Sequence, residues 1–85
     1  MLNISPPAYE RLSTMLAGRP DDIAVRVFVD EGRARIRPSR QRQGDQVLKH
    51  AGRAVVLLDA EAARYVDKRT IDIRNTANGP RLRLQ

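Results

Sequence analysis

Residues 44–73 read GDQVLKHAGRAVVLLDAEAARYVDKRTIDI, and the reading of this stretch decides the fold. Gln46–His50 and Arg53–Leu58 read as two short strands joined at Ala51-Gly52, a dipeptide that supplies a tight turn. Asp59 is placed to cap a helix from Ala60 to about Asp67, with Ala62, Ala63 and Val66 on its buried side. Ile71 and Ile73 then alternate with Asp72 and Arg74, the period of a strand.

Upstream, Ser5-Pro6-Pro7 is a helix start: a serine cap followed by prolines whose missing N–H groups cost nothing in a first turn. Glu10 is expected near the positive end of the helix dipole. Ala8, Leu12, Met15 and Leu16 share one apolar face, and Gly18 and Pro20 close a helix predicted over about 6–17. Ile23–Asp30 alternates Ile23, Val25, Val27 and Val29 with Ala24, Arg26, Phe28 and Asp30, and Asp30-Glu31-Gly32 supplies a hairpin turn. The return strand is predicted over Arg33–Arg37, Ala34 and Ile36 inward and the arginines outward, with Pro38 ending it and Ser39–Asp45 a polar loop. Downstream, Asn75–Pro80 reads as a loop and Arg81–Leu84 as a last alternating strand with the leucines inward. The order αββββαββ is an α+β domain, not an alternating βαβ chain with an open parallel sheet. Residues 1–85 are expected to form that one domain.

Composition sets further bounds. The chain has 85 residues and no cysteine, which excludes disulfides, thiolate metal sites and cysteine nucleophiles and fits a cytoplasmic protein. The N-terminus lacks the basic-then-apolar pattern of a secretion signal. The longest apolar run, AVVLL at 54–58, is far shorter than the ~20 residues of a membrane span, so no membrane partner is expected. Net charge is +6, and residues 33–42 hold five arginines and no acid; they carry +5 of that balance.

Quoted together, the capped helix ISPPAYERLSTMLAG, the strand AVRVFVDEG and the run from GD through VVLLD to "ID" resemble the HesB/IscA-type domain of A-type iron–sulfur carriers over roughly residues 3–76. The resemblance implies a HesB-like fold, compact mixed β-sheets with an N-terminal helix and one short internal helix. It also implies self-association through strand surfaces, hence a homodimer, and a link to iron–sulfur cluster assembly. Carriers of that family use three cysteines, one after a glycine pair beyond the first long strand and two in a Cys-Gly-Cys tail. Here the first position falls near Gly32–Arg35, and the tail is expected to be absent, the chain ending in RLRLQ at Gln85. No cofactor or metal site is therefore expected, and the resemblance implies a scaffold kept without its cluster chemistry.

The arginine stripe leaves three readings open. Alternate strand residues are two rises, ~6.6–6.8 Å, apart, so Arg33, Arg35 and Arg37, joined by Arg40 and Arg42, could track the phosphates of a nucleic acid. Five neutralised phosphates correspond to a salt slope of about −3.5 to −4.5, but no aromatic interleaves the stripe as a stacking platform. The same arginines suit an anionic protein or small molecule, or a solvated edge strand charged against edge-to-edge pairing. Elsewhere the residues point away from catalysis. His50, imaginable as a ligand or base beside Asp45 or Asp30, has no nucleophile in a recognisable arrangement and reads as a strand-end residue. Asp21-Asp22 and Asp30-Glu31 read as turn acids, Tyr65 as packing, and residues 75–80 as neither a P-loop nor a dinucleotide motif. The expected function is that of a non-enzymatic binding or accessory protein acting through a protein partner or homodimer; the alternative is a small basic nucleic-acid binder.

Overall fold

The N-terminal helix is built as its residues dictate. In the computed structural model, which describes all of residues 1–85, α1 spans Pro6–Leu16 after a two-residue strand β1, Asn3–Ile4. Ser5 caps α1, its hydroxyl oxygen accepting from the Ala8 amide while donating to Asp72 at 2.7 Å. Ala8, Leu12 and Leu16 are buried and Met15 is half-buried, the apolar face the spacing implies. Glu10 lies beyond the first turn, which holds no acid, so it is too far along to feel the helix dipole strongly.

The strands that follow are β2 (Ile23–Asp30), β3 (Arg33–Arg40), β4 (Gln46–His50) and β5 (Arg53–Leu58). They form one sheet in the order β3-β2-β5-β4. β2–β3 and β4–β5 are antiparallel hairpins, and a parallel β2–β5 pairing joins them. Each hairpin closes over two residues with positive φ: Glu31 (50°) and Gly32 (74°), then Ala51 (53°) and Gly52 (80°). Two successive left-handed residues make the turn whose twist matches the flanking strands. α2, Ala60–Val66, is capped by Asp59, which accepts from the Ala62 amide at 2.8 Å. A second sheet, ordered β1-β6-β7, contains β6 (Thr70–Thr76) and β7 (Gly79–Leu84).

The element order agrees with the sequence reading, with β1 added ahead of α1, and the end of β3, the end of β6 and the start of β7 are corrected. β1 pairs in parallel with β6 over only Asn3–Thr70 and Ile4–Ile71, too short for any periodicity to register. Pro38 does not end β3; it sits opposite Val25, and the strand runs on to Arg40. β3 is an edge strand, where a missing N–H need not be paired. Ser39 and Arg40 thus leave the predicted loop for the strand. Residues 75–80 are likewise a tight hairpin rather than a long loop, Thr76 opposite Gly79 and only Ala77-Asn78 between them.

The core lies where α1 packs against β2, β5, β6 and β7, and α2 against β2 and β5. Leu12, Leu16, Val25, Val27, Val56, Leu58, Val66 and Ile71 are all buried, each worth roughly 1.5–3 kcal/mol of transfer free energy for a side chain of this size. α1 therefore bridges the two sheets, which share no strand. No helix is long and apolar enough to cross a membrane.

Candidate functional site

Strand alternation sorts the five arginines singled out in the sequence. Arg33, Arg35 and Arg37 stand opposite Asp30, Phe28 and Arg26 on one face of β3. Arg40, of opposite parity and at the strand end, pairs with Asp22 at 2.6 Å, and Arg42 lies in the loop beyond. The structure thus brings together three of the five. All five are exposed, but they are not equally free. Arg35 reaches Asp30 at 3.5 Å, and the Arg37 guanidinium lies 4.6 Å from the Phe28 ring centroid. An aromatic therefore does stand beside the stripe, although Arg37 covers it. Arg33 and the Arg42 side chain make no ion pair.

Arg26 occupies the polar phase of the alternating β2 pattern, yet the structure buries it. It is 1 % exposed, the one charged residue buried along its whole length. Its guanidinium donates to both carboxylate oxygens of Asp45, at 2.9 and 2.5 Å, to the Ser39 hydroxyl at 3.1 Å and to the Arg40 carbonyl at 3.1 Å. Asp45, its side chain 3 % exposed, also accepts from the Arg42 amide at 2.7 Å. The hydrogen bonds from Arg26 hold the Asp45 carboxyl below the usual carboxylate range against the opposing effect of burial. This fork ties the loop after β3 down onto β2, fixing the end of the strand that carries the stripe. No local pattern signals it, since its partners are 19 residues apart.

The remaining candidates are structural. His50 stacks on Tyr9 with ring centroids 4.3 Å apart, and Asp45, which the sequence placed within its reach, is committed to Arg26 instead. Asp21 and Asp22 form a turn before β2, and Asp22 is held below its ordinary pKa by the hydrogen bond from Arg40. The Tyr65 hydroxyl donates to the Gly32 carbonyl at 3.1 Å, bracing the β2–β3 turn against α2. Nowhere do three His, Asp or Glu side chains converge as metal ligands.

One feature was invisible to sequence reasoning. Between β3 and β7 runs an open cleft of ≈ 140 Å³, nine of whose eleven lining residues are hydrophobic. Its walls are Ala34, Arg35 and Ile36 on one side and Leu82, Arg83 and Leu84 on the other, over a floor that includes Leu12 and Val27. Ile36, expected to point inward, is 41 % exposed at this cleft. Both walls are edge strands of different sheets, so no neighbouring strand covers them.

No family model matches the chain, and a search of curated proteins found no match. Solved structures do match. Escherichia coli SufA, described as involved in biosynthesis of iron–sulfur clusters, superposes with a TM-score of 0.83 at 17% identity, over 99% of this chain and 83% of SufA. IscA with its [2Fe-2S] cluster gives 0.69 at 19% identity, over 100% of this chain and 84% of IscA. The N-terminal helix, the two mixed sheets and this likeness agree: the chain has the HesB/IscA-like fold, and carries it without a cysteine.

Proposed function

We propose that this is a non-enzymatic, cytoplasmic binding or accessory protein on the HesB/IscA-like scaffold, acting near iron–sulfur cluster assembly through a protein partner or a second copy. The observation that carries the reading is the pairing of that fold with the complete absence of cysteine. At Gly32–Arg35, where the resemblance puts the first cluster ligand, stand a turn glycine and the head of β3 with two exposed guanidinium groups. A guanidinium has donors and no lone pair to offer a metal, so these residues do not fit an iron–sulfur cluster. Contact is what the surface offers: an arginine face and an apolar cleft. The non-enzymatic reading is supported by the lone imidazole being stacked on Tyr9 rather than aligned with an acid and a nucleophile.

Anaerobic incubation of the purified protein with iron and sulfide is the test, and no stoichiometric visible absorbance is expected. A cluster present at one per chain or per dimer overturns the reading. The nucleic-acid alternative rests on the spacing of Arg33, Arg35 and Arg37. It is weakened by the ion pairs of Arg35 and Arg40 and by the covered ring of Phe28. A gel-shift titration with single-stranded RNA and DNA at two salt concentrations decides it; binding that falls with salt and disappears when Arg33, Arg35 and Arg37 become alanine establishes that alternative.

A further inference from the structure

The open edge of β3 has a definite hydrogen-bonding pattern. In a two-residue hairpin the pair flanking the turn exchanges hydrogen bonds, and bonded and non-bonded pairs then alternate. Asp30–Arg33 flanks the turn, so Arg33, Arg35 and Arg37 bond inward to β2, while Ala34, Ile36 and Pro38 turn their backbone groups outward. Pro38, which has no N–H, falls on an outward position, as this alternation requires. Ala34 and Ile36 are left with N–H and C=O groups on an uncovered edge bordering the cleft.

The two faces of that edge differ sharply. On one stand the guanidinium groups of Arg33, Arg35 and Arg37; on the other the side chains of Ala34 and Ile36 lead into the apolar cleft. A strand added alongside β3 would place alternate side chains beside the arginines and the intervening ones over Ile36 and the cleft. From this we infer that β3 is a docking edge for an extended segment of a partner protein in which acidic and apolar residues alternate. The inference rests on the binding role proposed above and names the partner's chemistry. A second copy of this chain is disfavoured at the edge, because β3 against β3 sets arginine near arginine, and like charges facing each other across strands destabilise the pairing. The same arginines that repel a copy attract an acid-bearing strand. Arg83, on the opposite wall of the cleft, adds to that field.

The probe is a fluorescently labelled peptide of four Glu-Val repeats with blocked termini, titrated into the full chain and followed by anisotropy and amide hydrogen exchange. Saturable binding is expected, at least tenfold weaker for Arg33→Gln/Arg35→Gln/Arg37→Gln and at least tenfold weaker in raised salt. The Ala34 and Ile36 amides gain protection on binding, and Ile36→Pro abolishes it. Ile36→Pro removes an outward N–H at a position equivalent to Pro38, so the fold is expected to survive, as circular dichroism checks. Absence of binding, equal binding of a Lys-Val peptide, or undiminished binding by Ile36→Pro overturns the inference. So does a thymidine oligonucleotide that displaces the peptide and binds Ile36→Pro as well as the parent chain. Failure here leaves the accessory role standing on the reconstitution result, whereas a reconstituted cluster overturns that role and leaves the strand geometry untouched.

Discussion

Removing the Asp45 carboxylate tests the buried fork directly. Asp45→Ala leaves the Arg26 guanidinium, 1 % exposed, with only the Ser39 hydroxyl and Arg40 carbonyl as acceptors and no counter-charge in contact, Asp59 acting on it only through space. Breaking a buried ion pair from one side costs about 3–5 kcal/mol, because the surviving charge stays desolvated. An 85-residue domain has a total stability of roughly 4–13 kcal/mol at ~0.05–0.15 kcal/mol per residue, so the variant is expected to lose a large share of it. Urea unfolding at pH 7, followed by circular dichroism, measures the loss as a lower midpoint. Arg26→Leu/Asp45→Leu is the companion: with both charges gone, stability should return to within ~1–2 kcal/mol of the parent, since replacing a buried pair by apolar side chains is often neutral or better. A loss below ~1 kcal/mol for Asp45→Ala, or a double variant no better than the single, refutes the reasoning, because Arg26 would then have to be solvated rather than buried.

The same pair contributes to the acid limb of stability, and one hairpin offers a gain. Asp45 titrates below its ordinary value of 3.8 because Arg26 donates to it, so its contribution is fully present above about pH 4 and lost as pH falls through the depressed folded value. Stability against pH should therefore drop more gently in Asp45→Asn than in the parent, starting from a lower plateau; parallel curves sink this assignment. Ala51 holds φ at 53°, where a side chain costs ~1–2 kcal/mol relative to the right-handed region. Ala51→Asn creates the Asn-Gly pair favoured in such turns and should raise the thermal midpoint by several degrees for a gain of ~1 kcal/mol; an unchanged or lower midpoint contradicts the turn geometry.

Local chemistry made most of the fold legible. The Ser5 cap, the prolines behind it, the Asp59 cap and the glycines at 32 and 52 each act within a few residues, and the structure uses all of them as read. What escaped depends on distant partners. Pro38 stops a central strand but not an edge one, and only the sheet order says which β3 is. β1 has no pattern of its own and exists because β6 lies beside it. Arg26 occupies the polar phase of an alternating strand, and nothing nearby says that a loop will fold over it with an aspartate. The arginine stripe was readable as a row on one strand face, while the cleft beside it was not, because its walls come from residues 34–36 and 82–84.

That the two walls belong to separate sheets has a mechanical consequence. Within a sheet, neighbouring strands are clamped at a fixed spacing by their ladders, and moving them apart breaks backbone bonds. Here no ladder spans the gap, so its width is set by side-chain packing beneath it, Leu12 of α1 against Val25, Val27, Val56 and Ile71. The opening can therefore change width while every strand keeps its pairing.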